Sequence, residues 1–121
     1  FSPDGNRVAA VDFQYVGKGC GMKDVIMLLS SAVPPEECEK RCPELLENYF
    51  TYLQKAVQLH NSNETNNPID FHQLEKAWRP LYCLAWADFQ RFLKGWSPEH
   101  WKIHPYSEQL TQQALAQLQQ A

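Results

Sequence analysis

The apolar residues of this chain recur mostly at the three- and four-residue spacing of amphipathic helices. The predicted helices cover residues 23–32, 35–60, 70–94 and 108–119. Pro43 and Pro80 lie inside two of them and are expected to divide or kink the helix, because proline lacks the N–H group of the helical ladder. The stretch 81–93 is apolar on nearly every side, which predicts a buried central helix or the lining of a pocket.

Several residues carry the usual signals of helix ends. Asp70 is followed three residues later by Gln73, the pattern of a capping box. Gly95 is expected to end that helix, and Ser97-Pro98-Glu99 to begin a short helical turn. Ser107 is predicted to cap the last helix.

Residues 1–13 have a different pattern, which predicts a β-hairpin. Pro3-Asp4-Gly5-Asn6 is a turn signal, and the small and β-branched residues after Arg7 favour a returning strand. The first arm is cut short at Phe1, which is not Met, so the chain is expected to be the later part of a longer protein.

The fold class that follows is α+β and predominantly α-helical, with one hairpin followed by four or five helices. A single domain is expected, since no linker is long enough to separate two. Its predicted parts are a hairpin over 1–13, a loop and helix over 14–33, and a helical subdomain over 34–121.

Composition and charge narrow the function classes. Hydrophobic residues make up 44% and charged residues 21% of the chain, as in soluble folded domains. The net charge of −3 provides no basic footprint for nucleic acid. No apolar run approaches the roughly 18 residues that span a bilayer. The four cysteines lack the spacing of a metal site, and free thiols in a cytoplasmic protein are expected.

The strongest chemical pattern is an acid at the end of the predicted strand. Asp12 is followed by a loop with three glycines, Gly17, Gly19 and Gly21, and then by Asp24 at the head of an apolar helix. A carboxylate there suits Mg²⁺, which takes one or two carboxylates together with phosphate oxygens and water. The alternative is an aspartate that only caps a turn.

These residues resemble the metal-binding segment of the aminoglycoside phosphotransferase and choline kinase-like family. The resemblance rests on Val-Asp-Phe-Gln, then G-x-G-x-G-x-x-D and an apolar helix, within residues 7–31. Ala-Trp-Ala-Asp-Phe and Gly-Trp-Ser-Pro-Glu-His-Trp-Lys in the tail are similar to the ecdysteroid-kinase-like and choline-kinase-like branch. The resemblance implies the C-terminal lobe of a protein-kinase-like fold and Mg²⁺- and ATP-dependent phosphorylation of a small-molecule hydroxyl group.

The same resemblance implies roles for the two acids. Asp12 would bind Mg²⁺ that bridges the ATP phosphates, and Asp24 would hold the catalytic loop in shape. The family's catalytic loop, His-Gly-Asp with a later Asn, would fall upstream of Phe1. The catalytic base is therefore expected in a missing N-terminal part of the same protein, and the chain alone is predicted to be inactive.

A second candidate site lies on the aromatic helix. Tyr82, Trp86 and Phe89 share one face at helical spacing, and Asp88 lies beside them. In choline-kinase-like relatives the equivalent helix offers aromatic faces to a quaternary ammonium group. Tyr82, Trp86 and Asp88 are therefore candidate substrate-binding residues, whereas the alternative for the aromatic residues is core packing.

The substrate stays open among an aminoglycoside, choline, a sugar and a steroid alcohol. A function of another class stays open too. The chain would then be a non-catalytic helical binding module, such as a degenerate relative of the kinases or a partner-binding domain.

Overall fold

Helices dominate the computed structural model, which describes residues 2–12, 16–63 and 66–120. The helices in chain order are α1 (Met22–Ala32), a 3₁₀ turn (Pro35–Glu37), α2 (Cys38–Asn63), α3 (Phe71–Trp78), α4 (Leu81–Trp96) and α5 (Pro105–Gln120). None of these helices is both long enough and apolar enough to cross a membrane. The sequence pattern located the helical regions of the described residues, but it predicted one helix where α3 and α4 form.

Helix α4 is the centre of the fold. It packs against α5 and α1 and also touches α3. Its inner face is buried among these neighbours, as shown by Trp86 (1% exposed), Leu93 (3%) and Cys83 (5%). The prediction of a central helix is confirmed, but its outer face carries exposed aromatic residues, so the burial is one-sided.

The predicted β-hairpin is wrong for the described residues 2–12, which contain no strand. The turn itself forms, since the Ser2 N–H donates to the Arg7 carbonyl at 2.8 Å and the Gly5 N–H to the Ser2 carbonyl at 2.9 Å. A strand needs a backbone ladder on a neighbouring strand. In the described residues 2–12 the backbone forms no such ladder beyond the turn, and Val11 is 83% exposed.

The two helical prolines behave differently. Pro43 lies near the start of α2 and leaves the helix continuous. The hydrogen bond lost there is outweighed by a buried face that includes Cys38, Cys42 and Phe50. Pro80 instead separates α3 from α4, so the single kinked helix predicted over 70–94 is two helices.

Arg79 holds this break against α2. Its guanidinium donates to both carboxylate oxygens of Glu47, at 2.5 and 2.7 Å, and to Glu75 of α3. It also lies over the ring of Phe50, 4.4 Å from the ring centre. The hydrogen bond from Arg79 lowers the pKa of Glu47, and the pair links α2 to the end of α3.

One predicted helix cap is confirmed, and other predicted helix ends differ in the structure. Asp70 does cap α3, accepting from the Gln73 N–H at 3.1 Å. Helix α4 continues through Gly95 to Trp96, and where a short helical turn was predicted from Ser97 there is a single turn, closed by the His100 N–H, which donates to the Ser97 carbonyl at 2.9 Å. Helix α5 begins at Pro105, before Ser107, whose hydroxyl donates to the His104 carbonyl at 2.8 Å instead of capping from outside.

The side chain of His104 caps the start of α5 from a buried position. Its Nδ1 accepts from the Ser107 N–H at 3.4 Å, and the residue is only 8% exposed. Burial lowers the pKa of His104 below its ordinary value of 6.5, because the charged imidazolium is poorly solvated there. A proton on Nδ1 would also remove the acceptor of this cap.

We expect the folded chain to lose stability as the pH falls below about 6.5, because the unfolded state then binds a proton that folded His104 resists. The contribution of His104 is complete above that value and decreases as the pH approaches the lower folded pKa. Urea unfolding at about pH 7.5 and about pH 5.5 measures this change as a lower free energy of unfolding at the lower pH.

The variant His104→Asn keeps a capping side chain and has no titration in this range, so its stability should change less between the two pH values. His100→Gln is the matched control and should behave as the unchanged chain does. The Glu47 carboxylate, whose ordinary pKa is 4.5, loses its contribution only at lower pH. An equal loss in the His104 variant and the unchanged chain would contradict the assignment.

Candidate functional site

A cleft opens between the start of α1, with the loop before it, and one side of α4. Its volume is about 620 Å³. The residues that line it are Lys18, Gly19, Cys20, Met22, Lys23, Leu81, Leu84, Ala85 and Asp88. Of the residues that the sequence singled out, the cleft includes Gly19 of the glycine-rich loop and Asp88 of the aromatic helix.

The cleft has an apolar floor and a charged rim. Met22, Leu84 and Ala85 provide apolar surface, while the side chains of Lys23 and Asp88 are 77% and 53% exposed. The Asp88 carboxylate accepts from Arg91 Nη2 at 2.9 Å and lies 4.0 Å from Lys23 Nζ. An apolar cavity with a few polar groups at its edge is the usual form of a small-molecule site.

Tyr82 and Trp86 lie away from this cleft, in the core. Trp86 is 1% and Tyr82 6% exposed, and their rings meet edge to face with centres 6.5 Å apart. The Tyr82 hydroxyl forms a hydrogen bond of 3.2 Å with that of Tyr106 on α5, and burial raises the pKa of Tyr106 to about 12. The structure thus separates both aromatic residues from Asp88 and places them in core packing, the alternative that the sequence left open.

Asp12 ends the extended segment and is exposed. Its φ angle of 65° lies in the left-handed region, which Asp tolerates better than most residues. Asp12 does not line the cleft. The remaining motif residues Phe13 and Gln14 lie outside the described residues.

Asp24 lies in the first turn of α1, where a carboxylate favourably meets the helix dipole. It is exposed and, like Asp12, does not line the cleft. The structure therefore keeps Asp24 at the head of the helix, as the sequence predicted. Its support of a catalytic loop stays a prediction.

Gly21 has a role that the sequence did not reveal. A methyl group at this position would overlap the Tyr49 hydroxyl and approach the Trp78 ring to 3.2 Å. A side chain at Gly21 would therefore require the Tyr49 side chain to move. The sequence interpretation gave the glycines a turning role only, and the spacing alone carries no signal for this packing.

The sequence interpretation also missed three residues of the loop wall, Lys18, Cys20 and Lys23. Their position beside the glycines was the signal available for them. All four cysteines carry free thiols, as predicted, and burial raises the pKa of Cys42 to about 12. Within the described ranges, no group of three or more His, Cys, Asp or Glu side chains is placed to hold a metal ion.

A magnesium site of the kind implied by the resemblance would therefore have few ligands from the described residues of this chain. Asp12 supplies one exposed carboxylate. Mg²⁺ is commonly held by one or two carboxylates with substrate phosphates and water, and Asp12 fits such a contribution. The remaining ligands would come from phosphate oxygens and from outside the described residues.

A family model described as uncharacterized oxidoreductase dhs-27 matches residues 5–89. The chain belongs to this family. The dhs-27 family is kinase-like, and the match includes Asp12, Asp24 and Asp88. No curated protein matches the chain, and no solved structure does so either.

The family description names an oxidoreductase. Dinucleotide-dependent oxidoreductases of the Rossmann type place a glycine turn between a strand and a helix of a parallel sheet. Helix α1 follows the glycines here, but no strand precedes them in the part of the chain that the structure describes.

Proposed function

We propose that this chain is part of an ATP- and Mg²⁺-dependent phosphotransferase that acts on a small-molecule hydroxyl group. The proposed relatives are the aminoglycoside phosphotransferase and choline kinase-like enzymes, and the proposed fold is the helical lobe of a protein-kinase-like enzyme. The observation that carries the proposal is the cleft of about 620 Å³, which has Lys18, Gly19 and Lys23 on one side and Asp88 on the other.

The residues of the chain divide into three proposed tasks. Asp12 would hold the magnesium ion, which neutralises charge on the transferring phosphate groups. Lys18 and Lys23 at the cleft rim would attract the anionic phosphates. Asp88 would accept a hydrogen bond from a hydroxyl or amino group of the substrate, while the apolar floor excludes water from it.

The chain contributes no proposed catalytic base. Phosphoryl transfer depends on positioning and on charge neutralisation by several groups at once, so one magnesium ligand and one substrate wall are insufficient. We therefore expect turnover only when the 121 residues are part of the full product of their gene. A cytoplasmic location is proposed as well, since the four free thiols suit a reducing compartment.

Filling the cleft should block the hydroxyl substrate. In the full gene product, Leu84→Trp places a larger ring on the apolar floor, and we expect KM for the substrate to rise at least about tenfold, since misfit in a pocket of this kind commonly costs a factor of that size. The measurement is phosphate transfer from ATP to choline, an aminoglycoside, a sugar and a steroid alcohol.

Leu59→Trp on α2 is the matched control, because Leu59 is 66% exposed and does not line the cleft. KM for ATP should be unchanged in both variants. Far-ultraviolet circular dichroism establishes that both are folded. A Leu84 variant that is folded and keeps the KM of the unchanged protein would contradict the placement of the substrate.

The second candidate function is a non-catalytic helical binding module. It is favoured by the burial of Tyr82 and Trp86 in the core, which removes them from the proposed substrate contacts. A binding module would show ligand affinity with no phosphate transfer, whereas the enzyme shows both.

A further inference from the structure

A row of aromatic side chains covers the outer side of α4 and the turn after it. Phe89, Phe92, Trp96, His100 and Trp101 form this aromatic surface, and each ring neighbours the next with centres 5.8 to 6.4 Å apart. Trp96 is 67% exposed, and Phe92 and Trp101 are each 53% exposed. Aromatic residues exposed side by side are costly in water and are typical of interaction sites.

A groove between α1 and α4 adjoins the aromatic surface. It has a volume of about 280 Å³, and its apolar lining consists of Ile26, Met27, Ala85, Phe89 and Phe92. Ile26 is buried and forms part of the floor, whereas Met27 is 47% exposed and forms part of the edge. A groove of this size accepts one or two large apolar side chains.

Positive charge surrounds the groove. Lys23 and Arg91 line it, and both side chains are 77% exposed. Lys102 Nζ lies 5.5 Å from the ring centres of both Phe89 and Trp101, where it donates to Ser31 Oγ at 2.7 Å. Among the described residues, Asp88 is the one carboxylate that lines the groove; it lies 2.9 Å from Arg91 Nη2 and 4.0 Å from Lys23 Nζ, so Lys23, Arg91 and Lys102 together exceed it by two positive charges.

The geometry of the groove favours a polypeptide ligand over a sugar and over a bilayer surface. A sugar needs several hydrogen-bonding groups around it, whereas the lining of the groove is mainly apolar, with Lys23, Asp88 and Arg91 as its charged members. A bilayer surface accepts side chains that protrude, whereas the apolar centre here is a concave groove. Exposed Trp and Arg beside such a groove are the residues that most often anchor protein partners.

We propose that the aromatic surface and its groove bind an acidic segment of a partner protein. The partner inserts a large apolar side chain between α1 and α4, and its flanking carboxylates pair with Lys23, Arg91 and Lys102. The complementarity of charge selects the partner, and the groove provides the anchor. The groove shares Lys23, Ala85 and Asp88 with the cleft, so a bound partner would also cover one side of the proposed substrate site, although peptide binding itself requires neither ATP nor Mg²⁺.

The test is selection of a random peptide library displayed on phage against the 121-residue chain. We expect the enriched peptides to combine Trp, Phe or Leu with neighbouring Asp or Glu. The affinity of a synthetic enriched peptide is then measured by fluorescence anisotropy. Trp96→Ala and Arg91→Glu should each weaken its binding at least about tenfold, as interface anchors do.

Matched control variants exist on α2. Tyr52 is 69% exposed and has Lys55 Nζ 5.1 Å from its ring centre, so this pair is another exposed aromatic and cation. Tyr52→Ala and Lys55→Glu should leave peptide binding unchanged. Circular dichroism of all four variants separates lost contact from lost fold.

Three results would overturn the proposal. The first is a selection that enriches no acidic apolar peptide. An enriched peptide that binds the Trp96→Ala and Arg91→Glu variants as tightly as the unchanged chain counts as the same result. The second is tight binding of the chain to phosphatidylserine vesicles that Trp96→Ala abolishes, with no peptide bound. The third is a stable dimer in solution that Trp96→Ala dissociates, because a second copy would then be the occupant.

Discussion

Trp86→Ala is expected to lower the free energy of unfolding by about 3–5 kcal/mol, the range typical of a large aromatic residue removed from a core. Trp86 is 1% exposed and contacts three other rings, with centres 6.5 Å away at Tyr82, 6.1 Å at His104 and 5.9 Å at Tyr106. The cavity would remove part of the packing between α4 and α5. Urea unfolding followed by far-ultraviolet circular dichroism measures the loss, because this signal reports mainly the helical backbone.

The same helix offers a matched control. Trp96 is 67% exposed, and Trp96→Ala should change the free energy of unfolding by no more than about 0.5 kcal/mol. Trp86→Phe provides a milder variant if the alanine variant fails to fold. Trp86 Nε1 has no hydrogen-bond partner among the described residues, so the phenylalanine variant loses volume but also removes a buried unpaired donor.

The difference in stability between Trp86→Ala and Trp96→Ala also decides whether Trp86 is a core residue or a substrate-binding residue. A core residue reduces stability when truncated, whereas a residue that lines an open substrate site reduces ligand affinity with little loss of stability. A difference of less than about 1 kcal/mol between the Trp86 and Trp96 alanine variants would contradict the core assignment.

The helices were predictable from the sequence because their apolar residues repeat at the helical period. Asp70 and Gln73 illustrate a local signal that holds, since the cap depends only on residues three apart. The hairpin was not predictable from its turn alone, because a strand depends on a pairing partner. Pro43 and Pro80 gave the same sequence signal and opposite results, since the buried face of α2 outweighs one lost hydrogen bond.

The candidate site was predictable only in part. Asp88 lines the cleft, but Tyr82 and Trp86 do not. The helical period predicts which residues share a face of the helix, but it does not predict whether that face packs in the core or borders a cleft. Lys18 and Lys23 were missed because their place at the cleft depends on how the loop packs beside α4. The requirement for Gly21 depends on Tyr49, which is distant in sequence.

Asp12→Asn is expected to have the largest effect on function. Asp12 is exposed, and asparagine has the same size and also tolerates the left-handed backbone, so the fold should be unaffected. The amide removes the charge that Mg²⁺ requires of a carboxylate ligand. In the full gene product we expect kcat/KM for phosphate transfer to fall at least about 100-fold, as when a charge-stabilising group is removed from an active site.

Asp4→Asn is the control for this substitution. Asp4 lies on the same exposed N-terminal segment and accepts hydrogen bonds from Ser2 and Asn6, which asparagine can also accept. Its activity should equal that of the unchanged protein. A similar loss in both variants would show that the segment, and not the Asp12 carboxylate, is responsible.

Calorimetric titration of the full gene product with ATP, with and without Mg²⁺, tests the phosphotransferase proposal most directly, because it needs no knowledge of the hydroxyl substrate. The account predicts that ATP binds only when Mg²⁺ is present and that Asp12→Asn weakens this binding at least about tenfold. The absence of ATP binding, or ATP binding with the same Mg²⁺ dependence in the Asp12 variant, would contradict it.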